Sequence, residues 1–151
     1  MIEVNAHTDI EGSPETVWAV LTDLDSFSTW NPFIRNARGS TNVGGEVRVR
    51  VKPSLPIRLG FRASVLHSEA AHQLRWLGHV LAPWFARGDH TFTIERVGKH
   101  RVRFTQTERF GGILPWLGKR LLAYEAKRGF DAMNRALAHR VRELEESQRV
   151  S

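Results

Sequence analysis

The sequence predicts an α+β protein in which a curved antiparallel sheet closes around one long C-terminal helix. Three observations carry this. Apolar and polar residues alternate in segment after segment up to residue 110, two short helical signatures follow the first of these segments, and beyond Gly111-Gly112 the apolar period changes from 2 to 3.6. With 151 residues the chain is expected to form one domain, 1–151, with room for a sizeable core and an internal pocket.

Ile2, Val4, Ala6, Thr8 and Ile10 alternate with Glu3, Asn5, His7, Asp9 and Glu11, which places the first strand at about 2–11. Ser13 then offers an N-cap oxygen, Pro14 a first-turn residue with no amide to satisfy, and Glu15 a negative charge at the positive end of the dipole. Val17, Val20, Leu21 and Leu24 recur at helical spacing. A second short helix is expected from Asp25 to Trp30, stopped by Asn31-Pro32.

An antiparallel meander follows, opening with a short, weakly signalled strand from Phe33-Ile34. Beyond the turn-rich stretch 38–45, Val47, Val49 and Val51 oppose Arg48, Arg50 and Lys52, and Leu59, Phe61, Ala63 and Val65 oppose Arg58, Arg62 and Ser64. Leu74 and Trp76 mark a strand near 72–80, and two more are expected near 88–96 and 101–110. Leu122, Ala126, Phe130, Met133, Leu137, Val141 and Leu144 then fall on one stripe. A single helix from Leu117 to about Ser147 would run roughly 45 Å, so it must lie across the sheet. Gly129 inside it costs ~1 kcal/mol relative to alanine, which points to a close backbone approach or a bend there.

Composition narrows the function classes. With 41% hydrophobic and 25% charged residues, neither disorder nor low complexity fits, and the absence of cysteine excludes disulfides and thiolate metal sites. No apolar run approaches a membrane span and no leader precedes the first strand, so a soluble cytoplasmic protein is expected. The net charge of +6 raises the question of phosphate-bearing partners. The cations are spread along the chain without a nucleic-acid motif, which argues against specific nucleic-acid binding and allows only weak contact with acidic membranes. Arg48, Arg50, Lys52, Arg58 and Arg62 share the outward parity of a basic convex face.

The stretch Ser-Pro-Glu-Thr-Val-Trp-Ala-Val-Leu-Thr-Asp-Leu-Asp-Ser-Phe-Ser-Thr-Trp-Asn-Pro-Phe, 13–33, resembles the START-related, birch-pollen-allergen-like helix-grip superfamily, in its polyketide cyclase/dehydrase and lipid-transport (SRPBCC) branch. Gly-Asp-His-Thr-Phe, Thr-Glu-Arg-Phe-Gly-Gly and Gly-Phe-Asp-Ala-Met-Asn-Arg-Ala-Leu look like a bacterial subgroup of it. The resemblance implies a seven-stranded sheet around the long helix with a mostly apolar cavity between them. It implies no particular reaction, because carriers, cyclases, receptors and co-chaperones share the scaffold.

Strand parity puts His90 with Phe92 and Ile94 on one face, and Gln106 and Glu108 with Val102, Phe104 and Phe110 on one face of the next strand. A three-residue turn at 98–100 would set His90 opposite Glu108; a turn centred on Gly98 would set it opposite Gln106. His90 and Glu108 are therefore either a satisfied pair that closes the sheet or the polar end of a pocket, binding or acting on a ligand. Trp30, Phe61, Trp76, Phe92, Phe104, Phe130 and Met133 are candidate lining residues, although side chains of this kind are more often plain core than ligand contacts. Trp84 and Phe85, in a Pro-containing connection, suggest a mouth loop or an oligomer contact, and 110–116 an opposing lip.

His7 and His79 have outward parity and His67 and His72 lie at strand ends, so no metal site and no cofactor are expected. Three functions remain: a binding protein for a hydrophobic or amphipathic small molecule, a cyclase- or dehydratase-like enzyme using His90 and Glu108, and a protein-interaction module. The chain is expected to be a monomer or homodimer.

Overall fold

A computed structural model of the chain describes residues 2–150. Its strands are β1 (Ile2–Glu11), β2 (Ile34–Gly39), β3 (Glu46–Val51), β4 (Leu59–Glu69), β5 (Gln73–Val80), β6 (Ala86–Gly98) and β7 (Arg101–Gly111). They form one antiparallel sheet in the spatial order β1-β7-β6-β5-β4-β3-β2. The helices are α1 (Pro14–Thr22), α2 (Phe27–Trp30), α3 (Ile113–Leu117) and α4 (Lys119–Val150). This is the helix-grip START fold, with α4 held against the inner face of the curled sheet. No helix among the described residues is long and apolar enough to cross a membrane.

Local chemistry sets the junctions. Ser13 Oγ accepts from Thr16 N at 3.1 Å, capping α1 where Pro14 opens it. The helical stretch after α1 is a tight 3-10 turn, Leu24–Ser26, running into α2, rather than one helix over 25–30. It buries Leu24 and Phe27 and ends at Asn31, whose Oδ1 accepts from the amides of Phe33 and Ile34, each at 2.9 Å. Those two bonds turn the chain into β2.

Sheet and helix meet as the two periods demand. Ala6, Ile10, Val47, Val49, Ala63, Val65, Leu74, Trp76, Phe92 and Phe104 are buried on the inner face, against Ala126, Phe130, Met133, Leu137 and Val141 of α4. Each large apolar side chain so buried contributes about 1.5–3 kcal/mol. The helical text beyond Gly112 is split, because Gly118 leaves helical geometry (φ −113°, ψ 33°) and separates α3 from α4, which therefore starts at Lys119 and not at Leu117. Gly129 is a close approach: a β-carbon there would lie 2.3 Å from Cδ1 of the Phe33 ring. On the outer face Arg48 and Arg62 share Glu46, whereas Lys52 and Arg58 lie beyond the strand ends, in the β3–β4 connection.

Candidate functional site

β6 and β7 pair with His90 directly opposite Glu108. The register shifts between Arg96 and Gly98, so the chain turns through Lys99 and His100 with one extra residue absorbed on β6. His90 Nδ1 lies 2.7 Å from Glu108 Oε2, and both side chains are nearly buried. His90 Nε2 lies 2.9 Å from Gln106 Oε1, the diagonal neighbour two residues back on β7. The two sequence alternatives thus merge: the directly paired carboxylate and the diagonal amide both reach one ring.

The chain of polar groups continues into the helix. Gln106 Nε2 donates to Asn134 Oδ1 at 2.7 Å, and Asn134 Nδ2 has no partner among the described residues. Glu108 Oε2 is close to His90 but off the line of a well-formed hydrogen bond. Its other oxygen lies over Gly88, where a β-carbon would stand 2.4 Å from Glu108 Oε1. Gly88 makes room for the carboxylate, and Asn134 closes the far end. Both lie in motifs that carry the sequence resemblance, but sequence reasoning gave neither a place in the site. Asn134 follows Met133 on the buried stripe and precedes exposed Arg135, so its position at the edge of that stripe was the available signal.

Aromatic side chains surround this row. The His90 ring lies 4.2 Å from Phe92 at 31°, 5.0 Å edge-on to Phe130 and 6.0 Å from Trp76, between centroids. Phe92 is 6.1 Å from Phe104 and stacked on it, and Met133 is fully buried in the same cluster. The row lies where one apolar cluster, with Phe92, Phe104 and Met133, borders a second built on Val4, Ala6, Ala126 and Phe130. Trp30 and Phe61 are half-buried at the edge of the first cluster; Trp30 packs edge-on against Phe27 at 5.3 Å, and the Phe61 ring covers Gly78. Trp84 and Phe85 stand apart from the row in the β5–β6 connection, Trp84 exposed and Phe85 half-buried.

The row supports two hydrogen-bond arrangements. As the groups stand, His90 Nε2 faces Gln106 Oε1 and donates to it, while Nδ1 faces Glu108 Oε2. Rotating the Gln106 and Asn134 amides by half a turn reverses every donor beyond His90, so that Nε2 accepts instead. The two arrangements differ in the direction of every hydrogen bond from His90 Nε2 onward, and the change is passed along to Asn134. Nε2 is committed to Gln106 and Nδ1 faces Glu108 Oε2, which leaves Glu108 Oε1 and the Asn134 amide as the groups free to meet a ligand.

Two carboxylates elsewhere on α4 are structural. Glu125 accepts from the Ser54 hydroxyl and, at 2.8 Å, from the Ser54 amide, and these bonds hold its carboxyl below the ordinary glutamate range. Burial pushes Glu145 up, but the Ser13 amide at 3.0 Å, the Thr16 and Ser13 hydroxyls and nearby His100 together bring it below that range. No cluster of three or more His, Asp or Glu that could hold a metal occurs among the described residues. Two surface hollows, of about 390 Å³ beside Leu24, Ser28 and Arg38 and about 610 Å³ beside Val4, Tyr124 and Lys127, do not touch the polar row.

A seven-stranded sheet around a long helix, with a buried polar row facing that helix, defines a START-like helix-grip protein. The chain belongs to the polyketide cyclase/dehydrase and lipid transport family, whose model matches residues 1–142. No curated protein matches it in sequence. Among solved structures it is similar to an aromatase/cyclase from Streptomyces sp. R1128, with 15% identity over 93% of each chain and a TM-score of 0.78. A START superfamily protein from Mycobacterium smegmatis gives 19% identity, coverage of 94% of this chain and 98% of that one, and a TM-score of 0.76. Norcoclaurine synthase from Thalictrum flavum, solved in complex with dopamine and hydroxybenzaldehyde, gives 12% identity, coverage of 94% and 87%, and a TM-score of 0.70. At these identities the likeness is one of fold.

Proposed function

We propose that the protein binds a hydrophobic or amphipathic small molecule between sheet and helix, with an oxygen-bearing group of the ligand held by the ends of the polar row. The observation that carries this reading is the row itself: Glu108, His90, Gln106 and Asn134, all buried, in an otherwise apolar interior, ending in an unpartnered amide. Buried polar groups are costly unless fully paired, and a row left open at one end is what a ligand oxygen would complete. Glu108 is the most exposed member, with 10% of its side chain accessible against 7% for His90, and it lies beside Gly88. It lies toward the end of the sheet where α3 and the β5–β6 connection meet, the side from which a ligand would enter.

The 2.7 Å carboxylate–imidazole contact favours a second reading, a cyclase- or dehydratase-like reaction. Glu108, in contact with His90, would take a proton from an acidic carbon or hydroxyl of the substrate and give it to the alkoxide formed on ring closure, or to the hydroxyl that leaves as water. The family and its structural neighbours hold both kinds of protein, and turnover separates the two readings.

The test is native mass spectrometry of freshly purified protein with organic extraction of anything bound, beside His90→Ala and Glu108→Gln. A co-purifying apolar molecule that both variants lose, with their far-UV dichroism unchanged, supports the site. Ligand retained by both variants, or an empty protein that also ignores a panel of lipids and aromatic polyketides, overturns it.

A further inference from the structure

The cations look evenly spread in sequence; the fold gathers five of them at one end of the sheet. Three connections meet at one end of the sheet: 52–59 between β3 and β4, 81–88 between β5 and the start of β6, and 112–124, which contains α3 and the first turn of α4. Their proximity is explicit in the backbone. Ile113 N donates to Trp84 O at 3.1 Å and Leu114 N to Phe85 O at 2.9 Å, while the Ser54 amide bonds to Glu125 at the start of α4. These segments hold five of the 22 lysines and arginines, Lys52, Arg58, Arg87, Lys119 and Arg120, and none of the 16 acidic residues. Among the described residues none of the five forms an ion pair, although Arg87 bonds to the Pro83 carbonyl.

The same end carries the exposed apolar surface. Of the sixteen exposed large hydrophobic residues described, eleven lie in these three segments. Leu81 (84%), Trp116 (73%), Leu117 (69%) and Trp84 (66%) are the most open of them. An apolar and aromatic cap ringed by unpaired cations, with the adjoining acids Asp89 and Glu125 committed to Arg75 and Ser54, has the composition of a surface that sits in a lipid headgroup layer. Tryptophan and tyrosine prefer that depth, and lysine and arginine are drawn to anionic lipid. A second copy of the chain is the poorer occupant, because a two-fold contact would set five cations against the same five.

We propose that this end of the molecule docks on an anionic lipid bilayer, with Trp84, Trp116 and the neighbouring leucines inserted at the interface and the five cations over the headgroups. The docking stands independently of the small-molecule reading, since the bilayer itself is the partner. If both hold, the face that meets the membrane is the one through which Glu108 is reached.

The experiment is co-sedimentation of the full chain with vesicles of phosphatidylcholine alone and of phosphatidylcholine mixed with phosphatidylglycerol, at low and at high salt. Binding is expected to the anionic vesicles and to weaken as salt rises. Tryptophan emission should shift to the blue, because Trp84 and Trp116 are the two exposed tryptophans of five. Lys119→Gln with Arg120→Gln should weaken binding roughly 25-fold, about fivefold per cation. Trp84→Ala with Trp116→Ala should abolish the shift, and Arg96→Gln with Arg101→Gln, at the opposite end of the sheet, should leave binding unchanged. No sedimentation with anionic vesicles at low salt overturns the proposal, as does an equal loss from the two pairs of cation variants. A dimer in solution that dissociates on the paired tryptophan substitution, without vesicle binding, would assign the surface to a second copy instead.

Discussion

Replacing Gln106 by leucine tests whether the polar row exists as a connected unit. Gln106 is fully buried and uses both amide atoms, one toward His90 and one toward Asn134. Gln106→Leu strands His90 Nε2 and Asn134 Oδ1, and each stranded buried group costs about 1–3 kcal/mol. Leucine recovers ~1.5–3 kcal/mol of apolar burial, so the single variant mixes opposing effects of similar size and is a poor test alone. A double-mutant cycle with Asn134→Leu separates them. Asn134→Leu alone strands Gln106 Nε2, whereas the double variant has neither amide left to strand and leaves only His90 Nε2 exposed to the loss. Burial gains largely cancel around the cycle, and a coupling of about 2 kcal/mol or more should remain, favouring the double variant over the sum of the singles. Urea unfolding followed by tryptophan fluorescence measures it, with the slope m unchanged across the four proteins. In thermal unfolding, the double variant should melt above the additive expectation by ~4–8 °C. Additivity within about 0.5 kcal/mol would mean that the Gln106–Asn134 bond does not form in solution, and the row would lose its helix-borne end.

Gly129→Ala sets a helix-propensity gain of ~1 kcal/mol against a β-carbon 2.3 Å from a Phe33 ring that is itself packed edge-on against Phe130 at 5.9 Å. Overpacking of about 1–3 kcal/mol should win, with Phe33→Leu partly rescuing the variant; an unchanged or raised melting temperature contradicts this. Gly88→Ala meets only the mobile end of Glu108, so stability should hardly move while the carboxylate leaves His90, read as a change in the His90 ring resonances by NMR that Thr91→Ala does not produce. In acid, the Arg75 guanidinium at 2.6 Å holds Asp89 low, the Ser54 bonds hold Glu125 low, and Glu145 is low despite burial. Because the unfolded chain takes up these protons first, their stabilisation is complete above the ordinary values of 4.5 for glutamate and 3.8 for aspartate, and is lost as pH falls through the lower folded values. The melting temperature should fall across that window, less steeply in Glu125→Gln and Glu145→Gln; a flat profile would refute the assignment.

The strands were legible because a period of two assigns a face to every residue, and His90, Gln106 and Glu108 were found by parity alone. Their mutual geometry was not, since it depends on where the β6–β7 turn absorbs one residue, and that extra residue near Val97 leaves no mark in the alternation. Asn134 was hidden for a different reason. On an amphipathic helix a polar residue beside the stripe reads as solvent-facing, and only the facing strand supplies the Gln106 amide that makes burial tolerable. The division of α3 from α4 turns on one backbone conformation at Gly118, which no side-chain pattern encodes. The cations were spread along the sequence because alternate hairpin connections of a meander, far apart in the chain, return to the same end of the sheet.

That end also breaks a local rule. The first turn of α4 opens with Lys119 and Arg120 and contains no acid, while Glu143, Glu145 and Glu146 crowd toward its other end. The opening pair opposes the helix dipole, which favours acids in the first turn by about 0.3–1 kcal/mol each, whereas the last turn carries Arg149, as the dipole favours. Glu145 is accounted for by its bond to the Ser13 amide. Lys119 and Arg120 have no such partner, and unfavourable charges without a structural partner point to a use outside the fold. Lys119→Glu with Arg120→Glu should therefore raise stability, by about 1–4 kcal/mol if both dipole contributions reverse sign, and so the melting temperature by ~2–16 °C. The same variant should lose sedimentation with anionic vesicles. A gain in stability with binding intact would make the cations an unselected feature of the surface, and a loss of stability would mean that they have a structural partner after all.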